Sequence, residues 1–234
     1  DIGCGMGMNA IGMSRRFAEV WALDAIYERL RFTALRLAQE KITNVRPLFG
    51  SVFGLPFAEE SLDLVLLNGI LEWVGEWDYS APPRAVQERV LRRVHELLRP
   101  GGNLVVGIEN RFSYSYLYSG RDHSGYQMTS YMPRAMATAY MRLMRRLAGR
   151  RKYFSDWANE KPVEYRTYTY TIRGYRRLLR EAGFAEVHTY YCYPNYNFPH
   201  KLLPLDDRAA PRRILGLLAR PGSSLKNMLR NVLA

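Results

Sequence analysis

Asp1-Ile2-Gly3-Cys4-Gly5-Met6-Gly7 decides the fold. Three glycines stand at alternating positions, just ahead of a helical pattern over Asn9 to Ala18. Glycine lets the backbone turn tightly and lets a ligand approach with no Cβ in its way. The helix amino end behind such a turn offers free N–H groups. By itself the turn is not specific, because nucleotide-binding sheets of several kinds use one, and a merely tight turn stays open as the alternative. A turn of this kind follows a buried strand, and no strand precedes Asp1; the sequence reads as a fragment cut at or just after its first strand. Asp24 then closes a short apolar run, Val20 to Leu23. A carboxylate at that place can take the hydroxyls of a ribose. Its plainer role is a helix N-cap.

Outward from the turn, short apolar runs alternate with helical patterns, as in βαβ units around a parallel sheet. Ile26 to Lys41 repeats apolar residues at helical spacing. Strands are expected at Val20–Leu23, Val45–Phe49, Leu62–Asn68 and Leu104–Ile108. The Leu62 run is nearly all apolar, as a strand buried on both faces should be. Ala85 to Leu98 is an amphipathic helix that Pro100-Gly101-Gly102 stops. Glu109 to Tyr170 breaks the rhythm; it is rich in Tyr, Arg and Met, with one helical stretch over Met132 to Ala148. Order returns with a helix over Ile172 to Ala182, closed by Gly183. A strand over Ala185 to Tyr193, a turn at Pro194-Asn195-Tyr196-Asn197 and a returning segment, Phe198 to Leu205, follow. Four regions result: a core over 1–112, an inserted lid over 113–170, a closing helix and hairpin over 171–205, and a basic amphipathic tail over 206–234.

The chain has 234 residues, 47% hydrophobic and 24% charged, which suits one large globular domain with an appendage and excludes collagen, coiled coil and wholesale disorder. No apolar stretch approaches a membrane span. Only Cys4 and Cys192 occur, so there is no disulfide framework, and a reducing, cytoplasmic compartment is expected. Charge is split. The chain up to Ser113 carries a net −1 and the remainder +13; 15 of the 17 tyrosines lie in that second part. A basic surface suits phosphates, anionic glycans, nucleic acid or lipid headgroups, or is simply a solvated Arg-rich face.

Four pieces in order resemble a class I S-adenosylmethionine-dependent methyltransferase. They are the Asp1-to-Gly7 turn, Asp24, Leu55-Pro56-Phe57 ahead of Leu62-Asp63-Leu64-Val65, and Leu98-Arg99-Pro100-Gly101-Gly102. The resemblance covers Asp1 to Glu109 and, more loosely, the closing helix and hairpin. It implies a Rossmann-like α/β fold: a seven-stranded, mostly parallel sheet of order 3-2-1-4-5-7-6, helices on both faces, the last strand antiparallel. It implies S-adenosylmethionine as cofactor. Asp1, Gly3, Cys4, Gly5 and Gly7 would hold its methionine part, Asp24 and Ala25 the ribose, Ser51 and Val52 the adenine, with Asn68 after the fourth strand. Many relatives carry an acidic residue where Ser51 stands, so the adenine contacts depart from the pattern. Ile108-Glu109-Asn110-Arg111-Phe112, Gly120-Arg121-Asp122-His123 and Tyr190 to Pro199 resemble a bacterial methyltransferase subgroup associated with surface-glycan loci.

A hydroxyl acceptor must lose a proton as it is methylated, so a general base helps. His123 is the first candidate, with Asp122 as its orienting neighbour, and Glu72 the second. A structural loop histidine is the alternative for His123. Trp73, Asn110, Arg111, Arg121, Tyr191 and Tyr193 are candidate substrate contacts: tyrosines as flat walls, arginines as forks for an anion. Hairpin packing and solvated surface arginines compete with those roles. No metal-ligand spacing such as Cys-x-x-Cys occurs, so no metal is expected. Cys4 is a small turn residue, not a nucleophile.

The expected function is methyl transfer to a small-molecule or glycan acceptor, on a hydroxyl oxygen. The Asn68-Gly69-Ile70-Leu71 loop lacks the Asn/Asp-Pro-Pro-Tyr mark of many nitrogen methyltransferases. Two alternatives stand: an RNA methyltransferase that uses the basic Tyr/Arg-rich half, and a non-enzymatic partner-binding module on the same fold. The tail is a candidate for peripheral membrane contact. The sequence does not reveal an oligomeric state.

Overall fold

The structure is a computed structural model that describes residues 1–113, 116, 121–148, 161–207, 209–210 and 212–214. These fall into two compact units: residues 1–71 with 87–108, and residues 72–86 with the chain from Glu109 onward.

The first unit is built from βα repeats. Helix α1 spans Met8–Met13, β1 Val20–Asp24, α2 Tyr27–Gln39, β2 Val45–Phe49, β3 Leu62–Asn68 and β4 Leu98–Gly107. β1 pairs in parallel with β2, and β3 with β4. Ile2 bridges in parallel to both Leu23 and Leu67, so the lateral order is β2, β1, Ile2, β3, β4. Cys4, Ala10, Ile11, Val20, Ala22, Leu30, Leu37 and Val45 form one buried cluster here. Burying each Val or Leu side chain of such a cluster contributes about 1.5–3 kcal/mol.

Local chemistry explains where these elements depart from the sequence pattern. The first helix stops at Met13, well before Ala18. The Asn44 side-chain amide donates to the carbonyls of Ser14 (2.8 Å) and Phe17 (2.9 Å), which draws that segment out of the helix. β4 begins six residues earlier than expected and runs through Pro100-Gly101-Gly102. Gly101 sits at φ 81°, and the register against β3 shifts between Leu62 and Leu64. A Cβ on Gly102 would lie 2.9 Å from the Arg99 carbonyl oxygen and 3.1 Å from that of Leu62. The Pro-Gly-Gly triplet is thus an irregularity inside a strand rather than a loop.

The second unit holds α3 (Val74–Trp77), a 3₁₀ turn (Thr129–Tyr131), α5 (Arg134–Ala148), α6 (Ile172–Glu181), β5 (Tyr190–Tyr193) and β6 (Lys201–Pro204). Helix α4 (Pro83–Leu97) starts here and ends in the first unit. The Thr171 hydroxyl caps α6 by accepting from the Gly174 amide. β5 and β6 form an antiparallel hairpin. Both are shorter than expected; on the β6 side the Asn195 carboxamide oxygen accepts from the amides of Asn197 and Phe198, which extends the turn. Strand pairing among the described residues therefore gives two parallel ladders linked through Ile2, and a hairpin in the second unit. It does not give one seven-stranded ladder. Of the expected lid, residues 114–115, 117–120 and 149–160 lie outside the described residues, as do residues 208, 211 and 215–234 of the tail.

Aromatic and guanidinium groups cement this second unit. Tyr165 packs with Ala137 and Met141 in its core. Arg134 lies 4.0 Å from the Tyr168 ring centroid and 5.2 Å from that of Tyr165. Arg166, 4% exposed, donates to the carbonyls of Gly75 (2.5 Å), Asp78 (2.7 Å) and Ala81 (2.7 Å), and its guanidinium sits 4.2 Å from the Tyr79 ring centroid. Gly75 permits the approach: a Cβ there would come within 2.7 Å of the Arg166 carbonyl. Arg166 thus fastens the 72–86 segment to its unit. Replacing Arg166 by Ala strands three carbonyls, and the expected loss is about 3 kcal/mol in urea unfolding. Lys, lacking the planar fork, should recover less than half of that.

Candidate functional site

In the first unit, the glycine turn is drawn tight by its own hydrogen bonds. The amides of Gly3 (2.7 Å) and Cys4 (2.9 Å) both donate to the Leu23 carbonyl, and Gly7 donates to Cys4 (3.0 Å). The Gly5 amide donates to Asp24 Oδ2 at 2.8 Å. These four amides are therefore used within the protein. What the turn offers is shape. Gly3, Gly5 and Gly7 all have positive φ, at 71°, 56° and 76°. A Cβ on Gly3 would strike Ile70 and one on Gly7 would strike Thr33, whereas a Cβ on Gly5 meets nothing within 4 Å. Gly5 marks open space against bare backbone, where a ligand can lie close.

Asp24, 4% exposed, closes the corner. Its Oδ1 accepts from the Ile26 amide at 2.9 Å while Oδ2 holds Gly5. A carboxylate has about four lone-pair sites, so two amides leave it able to accept from a diol. One oxygen of Asp1, Oδ2, is buried without a hydrogen-bond partner among the described residues. An orphaned carboxylate oxygen beside the turn suits a cationic group such as an ammonium. Burial pushes the Cys4 thiol up to about 12, with the Asp24 charge adding to it, so Cys4 is inert packing. Ala25 is exposed, Val52 is buried, and Asn68 ends β3 opposite Gly107. The exposed Ser51 accepts from the Phe53 amide (3.3 Å), which leaves its hydroxyl hydrogen to donate.

In the second unit, Glu72, Glu109 and His123 converge from three separate stretches of chain. His123 Nε2 lies 3.0 Å from Glu109 Oε2 and 3.4 Å from Glu72 Oε1. Glu72 is fully buried, and neither of its carboxylate oxygens has a hydrogen-bond partner among the described residues. Burial raises its pKa, the Glu109 charge adds to that, and His123 opposes it. Burial pulls His123 down, but the hydrogen bond to Glu109 and the nearness and charge of both carboxylates outweigh it and carry the imidazole up to about 10. The two carboxylates thus favour the protonated imidazole, with Glu109 the nearer of them. Trp73 stacks on the imidazole, ring centroids 4.9 Å apart, and Tyr116 meets it edge-on at 6.0 Å. The Tyr196 hydroxyl donates to Glu109 Oε1 (3.1 Å), and the Tyr175 hydroxyl to the Glu109 carbonyl (3.0 Å).

Other candidates take different places. Asp122 does not orient His123. Its carboxylate accepts from the Ser124 amide (2.9 Å), the Ser130 amide (2.6 Å) and the Thr129 hydroxyl, and so builds the 3₁₀ turn. Arg111 donates to the carbonyls of Ser130 (2.7 Å) and Met132 (2.6 Å), which holds the same turn instead of presenting a fork outward. Asn110 caps a local turn by accepting from the Phe112 amide. Arg121 is exposed. Tyr191 is buried and Tyr193 half-buried, both in β5. Tyr116 and Tyr175 were not among the residues singled out, whereas Glu109 lies in the Ile108-to-Phe112 stretch and Tyr196 in the Tyr190-to-Pro199 stretch that the sequence marks. The signal for Glu109 was present, since it follows the end of β4 by two residues; the tyrosines share no spacing with it.

Residues 1–106 match the family described as the methyltransferase domain. The chain is also similar in structure to a possible histamine N-methyltransferase of Thermotoga maritima, described as S-adenosylmethionine-dependent: 18% identity, 89% of this chain and 75% of that one covered, TM-score 0.51. A second likeness is the cyclase SpnF, at 15% identity, covering 99% of this chain and 66% of that one, TM-score 0.50. These likenesses establish the fold. A third protein, phosphoethanolamine N-methyltransferase 1 of Haemonchus contortus in complex with phosphoethanolamine and S-adenosylhomocysteine, is 22% identical over 47% of this chain, at TM-score 0.41; the chain spans only 22% of its length.

The glycines of the turn separate shape from stability. Gly7→Ala should cost about 2–4 kcal/mol in urea unfolding, because strain at positive φ adds to a clash with the buried Thr33. Gly5→Ala, strained but unclashed, should cost only about 1–2 kcal/mol. Yet a methyl there fills part of the open space at the turn, and the outcome expected in calorimetry with S-adenosylhomocysteine is an affinity reduced roughly tenfold or more.

Proposed function

We propose that the chain is an S-adenosylmethionine-dependent methyltransferase that acts on a hydroxyl oxygen of a small-molecule or glycan acceptor. The methyltransferase domain over residues 1–106 supports the reaction class and the cofactor. When bound, S-adenosylmethionine supplies an electrophilic methyl group on a sulfonium. The open face at Gly5, the remaining lone pairs of Asp24 and the unpartnered Asp1 oxygen suit its uncrowded, diol and cationic parts respectively. The family order 3-2-1-4-5-7-6 belongs to the same reading, with the β5–β6 hairpin supplying the last two strands; their antiparallel pairing accords with it.

The observation that carries the acceptor class is the Glu72–His123–Glu109 cluster, in which Glu72 is buried and the other two half-buried. A hydroxyl loses its proton as its oxygen gains a methyl group, so the acceptor side needs somewhere for that proton to go. Two carboxylates here share one imidazolium, which leaves capacity for one more proton. Glu72 is the receiving group, because burial makes it a stronger base than an ordinary carboxylate. His123 holds the cluster together and stacks on Trp73, and an acceptor ring can lie against the same aromatic lining.

The Tyr- and Arg-rich composition does not favour RNA. Arg134 covers Tyr165, Tyr168 and Tyr170, and Arg166 covers Tyr79, so these aromatic faces are engaged within the unit. No helix among the described residues is long and apolar enough to cross a membrane.

A transfer assay with methyl-tritiated cofactor against fractionated cell extract tests the reading. Label should appear in saccharide, lipid-linked saccharide or small hydroxylated compounds, as a base-stable ether. Label in nuclease-sensitive material would establish the RNA reading instead. With the acceptor in hand, Glu72→Gln should lower kcat by roughly 10²- to 10⁴-fold.

A further inference from the structure

We infer that Glu72, Glu109 and His123 form a binding site for one divalent cation, with open positions for an acceptor hydroxyl. One oxygen from each glutamate and one imidazole nitrogen lie within 4.8 Å of one another. His123 Nε2 stands 3.0 Å from Glu109 Oε2 and 3.4 Å from Glu72 Oε1. Around a cation with bonds of about 2.1 Å, neighbouring ligands of an octahedron are about 3.0 Å apart, and those of a tetrahedron about 3.4 Å. The imidazole nitrogen thus stands at ligand-to-ligand distance from both carboxylates, and all three atoms lie within 4.8 Å of one another.

Glu72 supplies the independent reason for an ion. It is fully buried, and neither oxygen has a hydrogen-bond partner among the described residues. Imidazolium Nε2 has one hydrogen, and Glu109 is its closer claimant. One proton cannot satisfy two carboxylates that approach from different stretches of chain. A buried carboxylate left so is costly. A doubly charged ion between them, with the imidazole neutral, balances the charge of both. The surroundings are also those of a metal centre. Tyr196 donates to the far oxygen of Glu109, which fixes the carboxylate's orientation. Tyr175 holds the Glu109 backbone, and Trp73 and Tyr116 keep the imidazole plane in place.

The donor set indicates the kind of ion. Two carboxylates and one imidazole suit a cation of intermediate hardness, and the absence of thiolate disfavours soft ions. Mn²⁺ is the natural probe. Three protein ligands leave places for water or for the acceptor oxygen. A hydroxyl bound there gives up its proton more easily, because the ion stabilises the alkoxide, and the second oxygen of Glu72, outside the ion's ligand set, receives that proton. This deepens the methyl-transfer reading and rests on it for what the ion does, not for whether the ion binds. No ligand spacing in the sequence announces the site, since its members are 37 and 14 residues apart along the chain.

The test is Mn²⁺ binding to the whole chain after chelator treatment, followed by the electron paramagnetic resonance signal of free Mn²⁺. One ion per chain should bind, with modulation from a coordinated imidazole nitrogen in pulsed spectra. Glu72→Gln should weaken binding roughly tenfold or more, and His123→Ala should abolish the nitrogen modulation. Absence of stoichiometric binding up to about 1 mM, a dissociation constant unchanged in Glu72→Gln, or bound Mn²⁺ without nitrogen modulation would each overturn the proposal. If circular dichroism shows that a variant does not fold, the wild-type stoichiometry and nitrogen modulation decide. Calorimetry with S-adenosylhomocysteine on the same samples separates the two readings. Heat with the nucleoside but no Mn²⁺ binding rejects the ion site alone. Mn²⁺ binding without such heat upholds the ion site and rejects methyl transfer.

Discussion

The carboxylate of Asp24 is the constraint on which the first unit turns. It stands at the end of β1, nearly excluded from solvent, and grips the Gly5 amide with one oxygen and the Ile26 amide with the other. A segment with three glycines has more conformational freedom than any other sequence of its length, and left alone it would not hold one shape. The two amide contacts remove that freedom at the point where bare backbone must stay exposed. The Leu23 carbonyl, accepting from both Gly3 and Cys4, completes the restraint from the next residue of the same strand. Rigidity comes from β1 and openness from glycine, and each would be useless to a ligand without the other.

The second unit solves a different problem. Its residues are too polar and too strongly basic for a purely aliphatic core. Tyrosine rings and arginine guanidinia stack into the interior instead, with Arg134 over three rings and Arg166 between carbonyls and Tyr79. Arginine suits this better than lysine, because its planar group can lie on a ring while its N–H groups reach carbonyls at the edge. The large positive charge of this half is therefore partly structural. It does not by itself identify an anionic partner.

Much of this was legible in the residues. The parallel ladders followed from apolar runs whose limits at Val45–Phe49 and Leu62–Asn68 agree with the structure, since a strand buried on both faces has an unmistakable composition. The glycine turn was legible because its three positive φ angles suit few other residues, and Asp24 ends the expected strand. The misreadings have local causes. Asn44 captures carbonyls that a helix over Asn9 to Ala18 would have used. Pro100-Gly101-Gly102 bends within β4, where it looked like a stop. Asp122 looked like the partner of His123 because it is adjacent, but the side chain that reaches His123 most closely comes from Glu109. Adjacency in sequence says little about side-chain direction in a loop. Glu72, Glu109 and His123 could be suspected singly, but their meeting depends on how three connections fold, and no periodicity encodes that.

The hold of Arg166 on Gly75 spans 91 positions. During synthesis the segment bearing Glu72 leaves the ribosome long before its anchor exists. The strands and glycine corner of the first unit need little beyond residue 108. The clasp on the 72–86 segment closes only once residue 166 has been made, and three carbonyl contacts offset the closure of that long loop. A chain that ends short of residue 166 lacks this clasp on the 72–86 segment.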